Sequence, residues 1–151
     1  LLDRQRHRER GVAPHVARFA ARLHAVYLTL PEFVAASRTN PIVFGQAEDK
    51  SWQPLVVTGL EPDSNLCVDA AGDWLPAHYC PAYVRRYPFC TARVRADDAS
   101  VQAVICVDEL GLAAAPPHLF DARGEATPRW QELQRFIEEV DVATRQTEAF
   151  C

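Results

Sequence analysis

The sequence has no apolar run long enough to cross a bilayer. Its longest apolar stretches, such as Ala25 to Leu30 and Val101 to Val107, fall far short of the roughly 20 residues a spanning helix needs. No transmembrane span is expected. The opening "LLDRQRHRERGV" has basic residues but no apolar segment after them, so it does not read as an export signal. An excess of positive charge is also missing: 16 Lys and Arg against 20 Asp and Glu leave a net charge of -4. That balance gives no general attraction to nucleic acid or to anionic lipid, and no nucleic-acid partner is expected. C-x-x-C pairs are absent too. The five cysteines, at 67, 80, 90, 106 and 151, are odd in number and irregularly spaced, and a chain of 151 residues folds without a disulfide framework. Reduced thiols are the expectation.

Motifs for chemistry are equally scarce. G-x-S-x-G, the P-loop, the dinucleotide fingerprint and H-E-x-x-H do not occur, so the commonest hydrolase, nucleotide and zinc-protease readings lack their residues. His78, Cys80 and Cys90 form H-x-C followed by a nine-residue gap, unlike the C-x₂₋₄-C knuckle of structural zinc. Asp69 and Asp73 lack the D-x-D-x-D-G ladder of a calcium loop, and Gly72 between them reads as a turn. No metal, no cofactor and no catalytic residue is implied, and the balance leans away from an enzyme.

What the sequence does contain is the pattern of an α+β domain with one core, 48% hydrophobic and 24% charged. Residues 1–14, with Arg4, Arg6, Arg8 and Arg10 and no apolar face, read as an exposed basic arm; residues 15–151 read as a single domain. Between His15 and Leu28 helix and strand remain open, and "HAVYLTL" alternates well enough for a strand. Thr29, Pro31 and Glu32 spell a capping box with proline in the first turn, predicting a short helix over 31–39 that ends before Pro41. "PIVFGQ", "QPLVVTGL", "NLCVDA", "FCTARVRA" and "VQAVICVDEL" read as strands. The polar connectors "AEDKS", "EPDSN" and "ADDAS" are of hairpin length, so a mainly antiparallel sheet of about five strands is predicted. Thr127 as N-cap and Pro128 open a long C-terminal helix whose Trp130, Leu133, Phe136, Ile137, Val140, Thr144, Thr147 and Phe150 recur at three and four. That stripe reaches the last residues with no stop signal, and the chain is expected to be part of something longer.

The densest stretch is "HYCPAYVRRYPFC", residues 78 to 90. Pro81 suits a first turn and Pro88 forbids continuation, so a short helix is predicted over 81–87. Tyr83 and Tyr87 then share a face, while Arg85 and Arg86 point elsewhere. In one reading the rings pack on the sheet and the arginines pair with Asp69, Asp73 or Asp108. In the other, Arg85 or Arg86 holds a carboxylate or phosphate bidentately and a tyrosine adds its hydroxyl. The candidate ligand-binding residues are therefore Tyr83, Arg85, Arg86, Tyr87, Asp69 and Asp108. Asp108 and Glu109 are neighbours at a strand end and face opposite ways, so they do not share a proton. Arg86, three residues after Tyr83, lies nearer the tyrosine stripe and is expected to be the arginine anchored inward on a carboxylate, with Arg85 in solvent.

Seven stretches in order, "LLDRQRHRE", "HAVYLTLPEF", "NPIVFG", "PLVVTGLEPDSNLCVDAAGDWL", "CPAYVRRYPF", "VICVDE" and "LFDARGEATP" with its "RQTEAF" ending, resemble the SapC family of bacterial proteins over nearly the whole chain. Peptide-transporter permeases of the same name are a different group. Pro81, Ala82, Tyr83, Arg85, Arg86, Tyr87, Pro88 and Phe89 match the family pattern residue by residue, whereas Cys67, Cys80 and Cys90 depart from it. The resemblance implies a protein longer than these residues and brings no reaction or catalytic set. It implies a non-enzymatic accessory or binding protein of the cell envelope, linked to surface-layer assembly or export, with a protein of the envelope or surface layer as partner. The alternative is an enzyme or small-molecule binder with an anionic-ligand site around Arg85 and Arg86.

Overall fold

A computed structural model of the chain describes residues 1–95 and 100–151. The turn expected at residues 96–100 falls, but for Ser100, outside the described residues. The elements run β1 (Gly11–Val12), β2 (Ala25–Tyr27), α1 (Phe33–Ala36), β3 (Ile42–Gln46), β4 (Trp52–Val57), α2 (Ala82–Arg85), β5 (Phe89–Arg95), β6 (Val101–Val107), β7 (Leu112–Ala113) and α3 (Pro128–Phe150). Short 3₁₀ turns at Val16–Arg22, Leu30–Glu32 and Glu109–Gly111 lie between them. The fold is α+β, and all the strand pairs among the described residues are antiparallel.

The strands form three small sheets, β1-β7, β2-β4-β3 and β5-β6, where the sequence pattern predicted one sheet of about five strands. "NLCVDA" forms no strand: Leu66 N–H donates to Thr58 O, Cys67 O accepts the Leu75 N–H, and Asp69 N–H donates to Asp73 O within its own turn. Asn65 Oδ1 accepts the Cys67 N–H and its amide donates to Ala20 O, and Asp69 folds back on its own turn.

The chain divides into two compact units. The first comprises Leu1–Pro14 and Arg86–Glu138. Its core is Phe89, Leu112, Leu119, Phe120, Trp130, Leu133 and Ile137, with Trp130 ring centroids 5.3 Å from Phe89 and 5.6 Å from Phe120. Arg4, Arg6 and Arg8 are exposed, while the backbone of their segment is tied down. Leu2 N–H donates to Ile105 O, Glu9 N–H to Phe120 O, and His7 is buried with its Nδ1 accepting the Asp3 N–H.

The second unit comprises His15–Arg85 and Glu139–Cys151, around Ala17, Ala20, Val26, Leu28, Ala36, Val56 and Val84. The capping box is present as predicted and leads through one 3₁₀ turn into α1. β4 is the central strand, with β2 and β3 as edges. In α3 the Thr127 hydroxyl accepts the Trp130 N–H, and Trp130, Leu133, Ile137 and Val140 are all buried, as their spacing predicted. Each such side chain gains about 1.5–3 kcal/mol over an exposed one. Thr147 is fully buried, which its hydroxyl tolerates by accepting the Leu30 N–H and donating to Ala143 O. Phe150, counted in the same stripe, is instead 65% exposed.

Candidate functional site

The densest polar cluster of the second unit centres on Glu32, only 5% exposed. An isolated buried carboxylate is costly, and this one is accommodated because donors surround it. Oε2 accepts the Thr29 N–H at 2.9 Å and the Thr29 hydroxyl at 2.7 Å, the capping-box half. Oε1 accepts the Ala82 N–H at 2.6 Å and the Tyr79 hydroxyl at 2.9 Å, with Arg85 Nη2 at 3.7 Å. Ala82 opens α2, so its N–H has no acceptor inside the helix. The carboxylate thus joins two segments fifty residues apart in sequence.

Arg85 leans over this cluster. Its Nε donates to Cys80 O at 3.0 Å, its Nη2 to the Tyr79 hydroxyl at 3.2 Å, and its guanidinium lies 5.8 Å from the Tyr79 ring centroid. The Tyr79 hydroxyl therefore accepts from Arg85 while donating to Glu32. Burial, then the Glu32 charge, raises its pKa. The Cys80 thiol beside it is pushed up to about 11, chiefly by burial, against the lowering effect of Arg85. A thiol so placed stays protonated at neutral pH and is a poor nucleophile.

The residues singled out from the sequence belong to both units, Asp69, Tyr83 and Arg85 to the second and Arg86, Tyr87 and Asp108 to the first. Arg85 faces Glu32 and Tyr79, neither of which the sequence nominated as a site residue. Arg85, the more exposed of the two arginines, lies 3.7 Å from the buried Glu32 carboxylate. Tyr83 packs with Phe19, ring centroids 6.3 Å apart. In the first unit the Tyr87 hydroxyl donates to Asp108 Oδ2 at 2.8 Å, and burial together with this carboxylate pushes the phenol up to about 12. Asp108 Oδ1 accepts the Leu110 N–H of the following 3₁₀ turn.

Asp69 is engaged in a turn that occurs twice. Asp69 Oδ1 accepts the Gly72 and Asp73 N–H groups, and Asp121 Oδ1 accepts those of Arg123 and Glu125. In both, the Asp N–H donates to the carbonyl four residues on, and a glycine sits at positive φ, +93° at Gly72 and +81° at Gly124. An antiparallel bridge closes each, Val68 to Trp74 and Phe120 to Ala126. "DAAGD" and "DARGE" are thus the same D-A-x-G-[DE] turn, one in each unit, and glycine is required where φ is positive. These backbone bonds draw the pKa of both aspartates down.

Two concavities lie away from these residues. One of about 280 Å³ in the second unit is bounded by Tyr27, Asp49, Trp52 and Glu148, and one of about 350 Å³ in the first by Leu2, Ile105, Phe120 and Trp130. None of the six candidate residues lines either. On the β3-β4 hairpin, Phe44 and Trp52 are 49% and 52% exposed. The register pairs Phe44 with Pro54 and Gln46 with Trp52, so the two rings stand two rungs apart on the face that also carries the buried Pro54 and Val56, and Phe44 packs edge-on against Phe33 at 6.3 Å.

Among the described residues no helix is long and apolar enough to cross a membrane, and no three His, Cys, Asp or Glu side chains are grouped to hold a metal ion. Comparison with curated proteins and with solved structures finds no match. The SapC family profile, in contrast, matches residues 2–151, essentially the whole length, and the chain belongs to the SapC family.

Proposed function

We propose that this chain is a non-enzymatic accessory or binding protein of the bacterial cell envelope, acting through protein contacts in the assembly or export of a surface layer. The observation that carries the reading is the state of the Glu32 cluster. Each carboxylate oxygen already accepts two hydrogen bonds of 2.9 Å or less, so no acceptor is left to take a proton from a substrate. Its neighbouring thiol is held protonated. Such a cluster fastens α2 to the Thr29–Glu32 turn and leaves contact chemistry to the surface. Phe44 and Trp52, large apolar side chains left about half exposed at the end of a hairpin face, are the kind of feature a protein partner covers. The envelope setting rests on the association of the family with surface layers.

The test is an affinity pull-down of the full-length protein from its native cell, run beside a Phe44→Ser/Trp52→Ser variant. Envelope or secretion components recovered with the first and lost with the second support the reading. Equal recovery by both proteins overturns it. So does a clean monomer carrying a co-purified carboxylate or phosphate metabolite, which is the outcome an anionic-ligand site at Arg85 and Arg86 predicts.

A further inference from the structure

We propose that Cys90 and Cys106 form a reversible intramolecular disulfide, made by exchange with a small-molecule disulfide. In the β5-β6 ribbon the register places Cys90 directly opposite Cys106, so both side chains leave the same face. That face is the one turned away from the core, because Phe89, Ile105 and Val107, on the intervening positions, pack into it. Both cysteines are free thiols; Cys90 is exposed and Cys106 half-buried behind it. Neither belongs to the Glu32 cluster or to the Phe44 and Trp52 face.

The ladder also fixes how easily the two sulfurs meet. Asp108 N–H donates to Pro88 O, which makes the rung two residues before Cys90 a hydrogen-bonded one. Ile105 O and the Phe89 N–H bond elsewhere, to Leu2 N–H and to Arg86 O, as expected of the alternate rungs. Cys90 and Cys106 therefore occupy a hydrogen-bonded rung, with Cα atoms about 5.5 Å apart, inside the range a disulfide spans. The Cβ atoms of such a rung are also about 5.5 Å apart and must close to roughly 4 Å to be bridged. A bond that pulls on its ribbon is more easily reduced than a relaxed structural one, which favours a reversible link over a permanent staple.

The chemistry balances without an added cofactor. The Cys90 thiolate attacks one sulfur of the incoming disulfide, forming a mixed disulfide and expelling one thiolate. The Cys106 thiolate then attacks Cys90 Sγ, forming the intramolecular bond and expelling the second thiolate. The protein gives up two electrons and two protons, and the small disulfide becomes two thiols.

The full-length chain, reduced and then equilibrated over a series of oxidised to reduced glutathione ratios, is quenched with acid and N-ethylmaleimide and mapped by mass spectrometry. The expected product has lost two hydrogens and yields a peptide joining Cys90 to Cys106, and excess reduced glutathione restores the two thiols. Cys106→Ser should stop at a glutathione adduct on Cys90, and Cys90→Ser should abolish the bond. A stable glutathione adduct on Cys90 of the unmodified chain overturns the proposal, as do a bond from Cys90 to any other cysteine, a Cys90 to Cys106 bond that excess reduced glutathione cannot open, or no reaction.

Discussion

Replacing Glu32 by glutamine should destabilise the fold by about 3 kcal/mol, and the figure follows from counting donors. Four hydrogen bonds converge on the carboxylate, two from Thr29, one from Ala82 and one from Tyr79. Glutamine keeps the shape but offers one acceptor oxygen in place of two. Either the Thr29 or the Ala82 N–H must then face an NH₂ group. One stranded buried donor costs about 1–3 kcal/mol, and the surviving bonds lose the extra strength of a charged acceptor, which is worth up to about 1.5 kcal/mol per bond. Relief from burying a charge returns part of this, which is why the expected loss stays near 3 kcal/mol and below the sum. With a urea m-value of about 2 kcal/mol/M, the unfolding midpoint at pH 7 should fall by about 1.5 M. Tyr79→Phe removes one donor and leaves Oε1 its Ala82 bond, so a loss of about 1 kcal/mol is expected. Arg85→Ala should cost no more than about 1 kcal/mol, since the guanidinium is 44% exposed and 3.7 Å away. If Glu32→Gln moves the midpoint by less than the Tyr79→Phe change does, the carboxylate is not what joins these segments and the reasoning is refuted.

Cys80, with its thiol pushed up to about 11, should resist iodoacetamide at pH 8, while the exposed Cys90 and Cys151 are modified first; Cys80 labelling as fast as Cys90 would contradict its burial. The pKa values of Asp69 and Asp121 are drawn down, so the stability they lend is present above the ordinary carboxylate range and is lost as pH falls through their lowered values. The gap in unfolding midpoint between the native chain and Asp69→Asn or Asp121→Asn should therefore be widest near neutral pH and narrow as the pH falls through the lowered values; a gap that persists in strong acid would show that the turns do not depend on the charge. We further propose that residues 15–151 behave as one cooperative domain, with α3 contributing to both units, so near- and far-ultraviolet circular dichroism should report a single coincident urea transition. Two separated transitions would instead make the units independent.

The elements legible from the sequence were those whose signals are local. α3 was readable because Thr127, Pro128 and a buried stripe from Trp130 to Val140 all agree within fourteen residues. The β3-β4 and β5-β6 hairpins were readable for the same reason, β-branched runs joined by short polar connectors. Sheet membership was not legible. Whether β2 pairs with β4 or extends another hairpin depends on partners thirty residues away, and the pairing of Gly11–Val12 with Leu112–Ala113 joins residues about a hundred apart. A two-residue strand has no period to detect.

The candidate site divides along the same line. The capping box revealed one oxygen of Glu32, because Thr29 stands three residues before it and that spacing is a property of the helix start itself. The other oxygen is spent on Tyr79 and Ala82, which only the folded chain brings near. A signal for it did exist. A glutamate whose capping box sits between two apolar runs is destined for burial, and a buried carboxylate needs more acceptor bonds than one cap supplies. That demand could have directed attention to the unplaced donors of "HYCPAYVRR", namely a tyrosine, an arginine and the free N–H after a helix-starting proline. Asp69 and Asp108, the acids that the sequence offers as partners, have their own local duties at a turn and beside Tyr87.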